Sequence, residues 1–158
     1  MIRTKKRMIL CIALLITVLS FIWGNSLKSG EDSGAMSGTI LAWINAFLRL
    51  DETGAEIWHH LIRKMAHFTE FACLGLLLTW LFGLMGEKKG HLFCMPLLCG
   101  MLVACVDETI QVFVPDRGPS PIDIWIDSSG VAAGIVIVLI GHYYIRKKHM
   151  QNKLEETT

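Results

Sequence analysis

Long apolar runs separated by short polar stretches set the pattern of this chain. Four runs, over residues 8–24, 61–84, 92–114 and 124–145, each approach the roughly 20 residues that cross a hydrocarbon core about 30 Å thick. In such a core every backbone N–H and C=O must be satisfied within its own segment, so each run is expected to be a helix. The pattern predicts an all-α integral membrane protein, a single domain over 1–158 with four transmembrane helices. The first run, with Arg3, Lys5, Lys6 and Arg7 before it, shares features with a signal peptide. Its apolar stretch is long for that role and no Ala-x-Ala site follows, so a retained anchor is the expectation.

The stretches between the runs differ in kind. "NSLKSGEDSGAMSG", from Asn25, reads as a Gly/Ser-rich linker. In "TILAWINAFLRL", which follows it, Ile40, Trp43, Ile44, Phe47 and Leu48 recur at helical spacing. This predicts an amphipathic interfacial helix on the outer leaflet, or one packed over the mouth of the bundle. The last connection, "PDRGPSP", is a short loop stiffened by Pro115, Pro119 and Pro121. No internal repeat is visible, so the trace of an inverted-repeat transporter is missing.

Charge placement sets the expected orientation. Arg3 to Arg7, Lys88 with Lys89, and Arg146 to Lys148 all fall on one side of a four-crossing chain. The positive-inside rule makes that side, and both termini, cytoplasmic. Trp23, Trp58 and Trp125 would then mark the outer interface, and Tyr143 and Tyr144 the inner one.

Composition agrees with the pattern and removes other classes. The chain is 53% hydrophobic and 18% charged, against about 25% charged for soluble domains. With a net charge of +1 and no basic stripe, no nucleic-acid partner is expected. The five cysteines all lie in apolar runs, their number is odd and no CxxC pair exists. They carry no disulfide framework or zinc knuckle and read as small buried hydrophobes.

Against that background the charges inside the runs stand out. Arg63, His67 and Glu70 fall on one helical face of the second run, with Lys64 beside them. Asp107 and Gln111 share a face of the third, with Glu108 next to Asp107. Asp123, Asp127, Gly130 and Gly134 form a stripe on the fourth. Asp107 lies about seven residues before its run ends, roughly 10 Å below the surface. All these groups fall at one level, the outer leaflet. A charge at mid-membrane costs about 2.5–3.5 kcal/mol, so they must face one another or water.

In their order, "RKMAHFTEFACLG" and "DETIQVFVPDRGPSPIDIWIDSSGVAAG" resemble the VanZ-like family of bacterial membrane proteins. The resemblance rests on Arg63, Lys64, His67, Phe68, Glu70, Asp107, Glu108, Gln111, Arg117, Asp123, Asp127, Gly130 and Gly134, and covers about residues 58–140. Phe71 stands where Tyr is common and Asp127 where Asn is common. The resemblance implies a cell-envelope role in the bacterial plasma membrane. Its named member is associated with lowered susceptibility to teicoplanin-type glycopeptides.

The residues allow three functions. The first is a binding protein whose outer-leaflet pocket holds a lipid head group, a lipid-linked cell-wall precursor or a glycopeptide antibiotic. Its ligand-binding candidates are Arg63, Lys64, Glu70, Gln111, Arg117, Asp123 and Asp127. The second is an intramembrane enzyme acting on a lipid or surface polymer, with His67, Asp107 and Glu108 as catalytic acid and base. The third is a proton-coupled transporter. Each residue also has a structural use: His67 as a hydrogen-bond partner of Asp107 or Glu108, the two acids as ion pairs, Arg117 as a tie to Asp123, and Asp123 as a helix cap. Gly130 and Gly134 are expected to be structural, in a small-xxx-small packing face. The other histidines, His59, His60, His91, His142 and His149, are expected to be solvated. No HExxH-type spacing exists, so no metal and no cofactor is expected. An acidic excess beside His67 would nevertheless suit a divalent cation.

Overall fold

The computed structural model describes residues 2–49, 51–87, 90–118 and 120–155. Lys88, Lys89 and Pro119, which the sequence reading uses for orientation and loop stiffness, lie outside them. Among the described residues five helices follow one another: α1 (Ile2–Ser26), α2 (Gly30–Leu48), α3 (Glu52–Leu84), α4 (His91–Val112) and α5 (Pro121–Glu155). Four of them, α1, α3, α4 and α5, are long and apolar enough to cross a membrane. The chain is an all-α, multi-pass membrane protein.

Two helices outrun their apolar segments, because hydropathy registers the hydrocarbon depth and not the helix. α3 starts where Asp51 caps it, the carboxylate accepting from Gly54 N at 2.9 Å, with Glu52 favourably placed in the first turn. α5 has 35 residues, about 52 Å at 1.5 Å each, and carries its basic end well past a 30 Å core. It begins where Ser120 Oγ accepts from Ile122 N at 3.2 Å, with Pro121 at the first helical position, where a missing N–H costs nothing.

The linker expected after Asn25 is corrected: the chain turns over 27–29 and is helical again from Gly30. Glycine and serine propensities are a weak prior, and tertiary context overrides them here. α2 packs along α3, yet Trp43 and Phe47 are 80% and 88% exposed. Their faces are left for something apolar outside the chain, which suits an interfacial helix better than a plug in the bundle mouth.

The tightest seam joins α3 to α5. A Cβ on Gly130 would strike the Phe68 carbonyl oxygen, one on Gly134 the Ala72 carbonyl oxygen, and one on Gly75 the Val131 carbonyl oxygen. Small residues let these backbones touch, which is how helices gain packing where lipid is as apolar as leucine. Around the seam, Phe71, Leu74, Val131 and Ile135 form the core with Ala104 of α4 and Cys11, Leu15 and Ile22 of α1. Cys11 is part of that core, whereas Cys73, Cys94 and Cys105 are exposed on the helix surfaces; none of the five forms a disulfide.

Candidate functional site

α1 and α4 end, and α3 and α5 begin, at the same end of the bundle, and the polar side chains converge there. Asp107 is fully buried on α4. It accepts from Ser26 Oγ at 2.6 Å and from Gln111 Nε2, one turn on, at 2.9 Å. Gln111 Oε1 in turn accepts from Arg63 Nη2 at 3.4 Å. This chain of bonds ties α1, α3 and α4 together through a carboxylate that apolar surroundings would otherwise reject.

Glu108, one residue further and about 100° around α4, does something different. Its Oε2 accepts from Ser120 N at 2.9 Å and so holds the α4–α5 loop down. Asp123, in the first turn of α5, pairs with Lys64 Nζ of α3. The cap that the sequence suggested for Asp123 is supplied by Ser120 instead.

Between these groups lies a cavity of about 320 Å³. Arg63, Lys64 and His67 of α3, Glu108 of α4, Asp116 and Ser120 of the loop, and Asp123 and Asp127 of α5 line it. His60, expected to be solvated, stands at its rim. At the floor, a ring nitrogen of His67 and one carboxylate oxygen each of Asp107 and Asp127 lie within 4.8 Å of one another. Asp127 is 1% exposed and neither of its oxygens has a hydrogen-bond partner among the described residues.

Two expected members of the group face elsewhere. Glu70, placed by periodicity on the face of Arg63 and His67, turns toward α1, where its Oε1 accepts from Asn25 Nδ2 at 3.1 Å. It borders a second cavity of about 830 Å³, otherwise lined mainly by apolar groups including Val18, Phe21, Ile40, Trp58 and Met65. Arg117 does not reach Asp123. Its Nη2 donates to Asn25 O at 2.9 Å and its Nε to Lys28 O at 3.1 Å. Carbonyls at a helix C-terminus lack intrahelical donors, and the guanidinium fork supplies them. Burial, and after it the Arg63 charge, pulls the Arg117 pKa below the ordinary arginine value, though a guanidinium keeps its proton in proteins.

Asn25 and Ser26 are therefore part of the site, although the first apolar run ends before them. A signal was available: they are the first polar side chains after an apolar run, at the level of His67 and Asp107. The arrangement puts two cations, an imidazole and several carboxylates around one small cavity, suited to an anion with polar substituents. The VanZ/LLP1 family model matches residues 9–142. No curated protein and no solved structure matches the chain. The chain belongs to the VanZ/LLP1 family.

Proposed function

We propose that this VanZ/LLP1 membrane protein binds the head group of an outer-leaflet lipid or a lipid-linked cell-wall precursor, and thereby lowers susceptibility to teicoplanin-type glycopeptides. It would sit in the bacterial plasma membrane with both termini cytoplasmic and the pocket facing outward. One observation carries the reading: Arg63, Lys64, His67 and Asp123 share one cavity of about 320 Å³ at a bundle end. Arginine and lysine there suit a phosphate, the carboxylates suit hydroxyl and amide donors, and both gain from the low dielectric. An amphipathic α2 with Trp43 and Phe47 exposed would keep that end at the interface.

An enzyme acting on the same head group is the second reading, favoured by the imidazole of His67 between two buried carboxylates. A transporter finds less support. Below the polar end the α3–α5 seam is closed by backbone contact at Gly75, Gly130 and Gly134.

The test expresses wild-type protein and an Arg63→Gln/Lys64→Gln double variant in a susceptible host. Teicoplanin inhibition, lipids and wall precursors are measured. Wild type should raise the inhibitory concentration, and the double variant should return it to the vector level while protein level holds. A new lipid or precursor species with wild type establishes the enzyme reading. Equal inhibition with vector, wild type and variant removes the proposal.

A further inference from the structure

The carboxylate of Asp127 presents a problem that the head-group reading does not solve. It is almost wholly buried, yet among the described residues neither oxygen accepts a hydrogen bond. An isolated buried carboxylate is among the costliest groups a fold can hold unless a charge or a metal compensates it. None of the nearby cations hydrogen-bonds to it, and Arg117 Nη1, buried and itself without a partner among the described residues, does not reach it. Arg63 donates to Gln111, Lys64 to Asp123, and Arg117 to the carbonyls of Asn25 and Lys28. What Asp127 faces is a second buried carboxylate, Asp107, and the ring of His67.

We infer that His67, Asp107 and Asp127 form a binding site for one divalent cation of the zinc or manganese class at the floor of the polar cavity. The three donor atoms lie within 4.8 Å of one another. Ligands at 2.0–2.2 Å around one tetrahedral ion stand about 3.3–3.6 Å apart, so closure asks for up to about 1.5 Å, within reach of side-chain rotation. One imidazole nitrogen with carboxylate oxygens is a borderline-to-hard set, suited to zinc or manganese rather than to a copper(I) or iron–sulfur centre. A doubly positive ion cancels the two carboxylates, leaving no net charge buried.

The surroundings fit a metal as well as the donors do. Asp107 is already oriented by Ser26 and Gln111, each bonding a different oxygen. Those bonds leave lone pairs free and play the part that outer-shell partners play around metals. His67 and Asp127 line the cavity, so ions can enter and an open coordination position would face it. The sequence hides the site because each ligand comes from a different helix, α3, α4 and α5, and no linear spacing connects them. The inference goes beyond the proposed head-group binding and holds whatever occupies the cavity.

The test uses full-length protein in detergent micelles, stripped with chelator and titrated with Zn²⁺ or Mn²⁺ alone. Wild type should bind one ion per chain. Asp127→Asn and His67→Gln should each weaken binding at least about 100-fold, since losing only an outer-shell partner costs about 10–100-fold. Glu56→Gln, an exposed acid early in α3, should bind as wild type does. X-ray absorption of the zinc form should show nitrogen and oxygen ligands without sulfur. If a variant misfolds, wild-type stoichiometry and ligand type still decide. Absence of binding by folded wild-type protein, sulfur ligation from a cysteine, or variants within threefold of wild type would overturn the site. No lipid is present in this titration, so its failure leaves the teicoplanin experiment untouched, and the reverse.

Discussion

Ser26, the last residue of α1, donates through its hydroxyl to Asp107 Oδ1 of α4 at 2.6 Å, between positions 81 apart in sequence. Both residues are fully buried, and the bond fixes where α1 ends against the other helices. Ser26→Ala removes the donor and leaves a buried acceptor short of a partner. It should lower stability by about 1–3 kcal/mol, read as a lower thermal midpoint in detergent. Ser26→Thr keeps the hydroxyl and should recover most of the loss. Equal midpoints for wild type and Ser26→Ala would show that the bond contributes nothing net.

The α3–α5 seam predicts opposite outcomes for one kind of substitution. A Cβ on Gly134 would press into Ala72 O and lie 2.7 Å from Leu76 N, whereas at Gly141 nothing lies within 4 Å. Gly134→Ala should force the helices apart and cost about 1–3 kcal/mol. Gly141→Ala should be neutral or stabilising, by up to about 1 kcal/mol of helix propensity. Thermal unfolding of the pair checks both; similar destabilisation in each would mean that helix contact is not the cause.

Arg117 should not be replaceable by lysine. Its two bonds, to Asn25 O and Lys28 O, use a planar fork that an ammonium cannot copy. Arg117→Lys should speed hydrogen exchange in the loop after α4 and around residues 25–29 together. Coupled change in both segments is the signature, and change confined to the α4–α5 loop would count against the tie.

Lys64 and Asp123 are partly exposed, at 41% and 29%. Such a pair contributes about 0–1 kcal/mol to stability. Lys64→Gln should leave the thermal midpoint nearly unchanged while lowering teicoplanin protection. A large loss of stability would recast Lys64 as a structural group.

Orientation is checked by labelling. With the five native cysteines replaced by alanine, Asp116→Cys should react with a membrane-impermeant maleimide in intact cells. Lys148→Cys should react only after permeabilisation. The reverse pattern would turn the pocket inward and undo the outer-leaflet assignment.

Much of this protein was legible without coordinates, for a definable reason. Hydrophobic burial is additive along a segment, so apolar runs long enough for hydrocarbon announce their helices one by one, and the resemblance to VanZ-like proteins needed only residues in order. The 3.6-residue period placed Asp107 and Gln111 on one face, and intolerance of charge in lipid required the polar groups to meet. The meeting itself was not legible. Whether Arg117 reaches Asp123 or the end of α1, whether Glu70 joins His67 or Asn25, and whether Asp127 gains a partner all depend on how the helices rotate against one another. The Gly75, Gly130 and Gly134 contacts between α3 and α5 set that rotation, and such contacts carry no one-dimensional signature. Local propensity likewise misjudged residues 30–38, because a helix packed along α3 gains from a neighbour that the segment cannot foresee. The sequence determined which four segments are long and apolar enough to cross a membrane as helices, since that follows from local composition. Only the tertiary structure decided which charges share a hydrogen bond and which carboxylate is left without one, since those are properties of surfaces in contact.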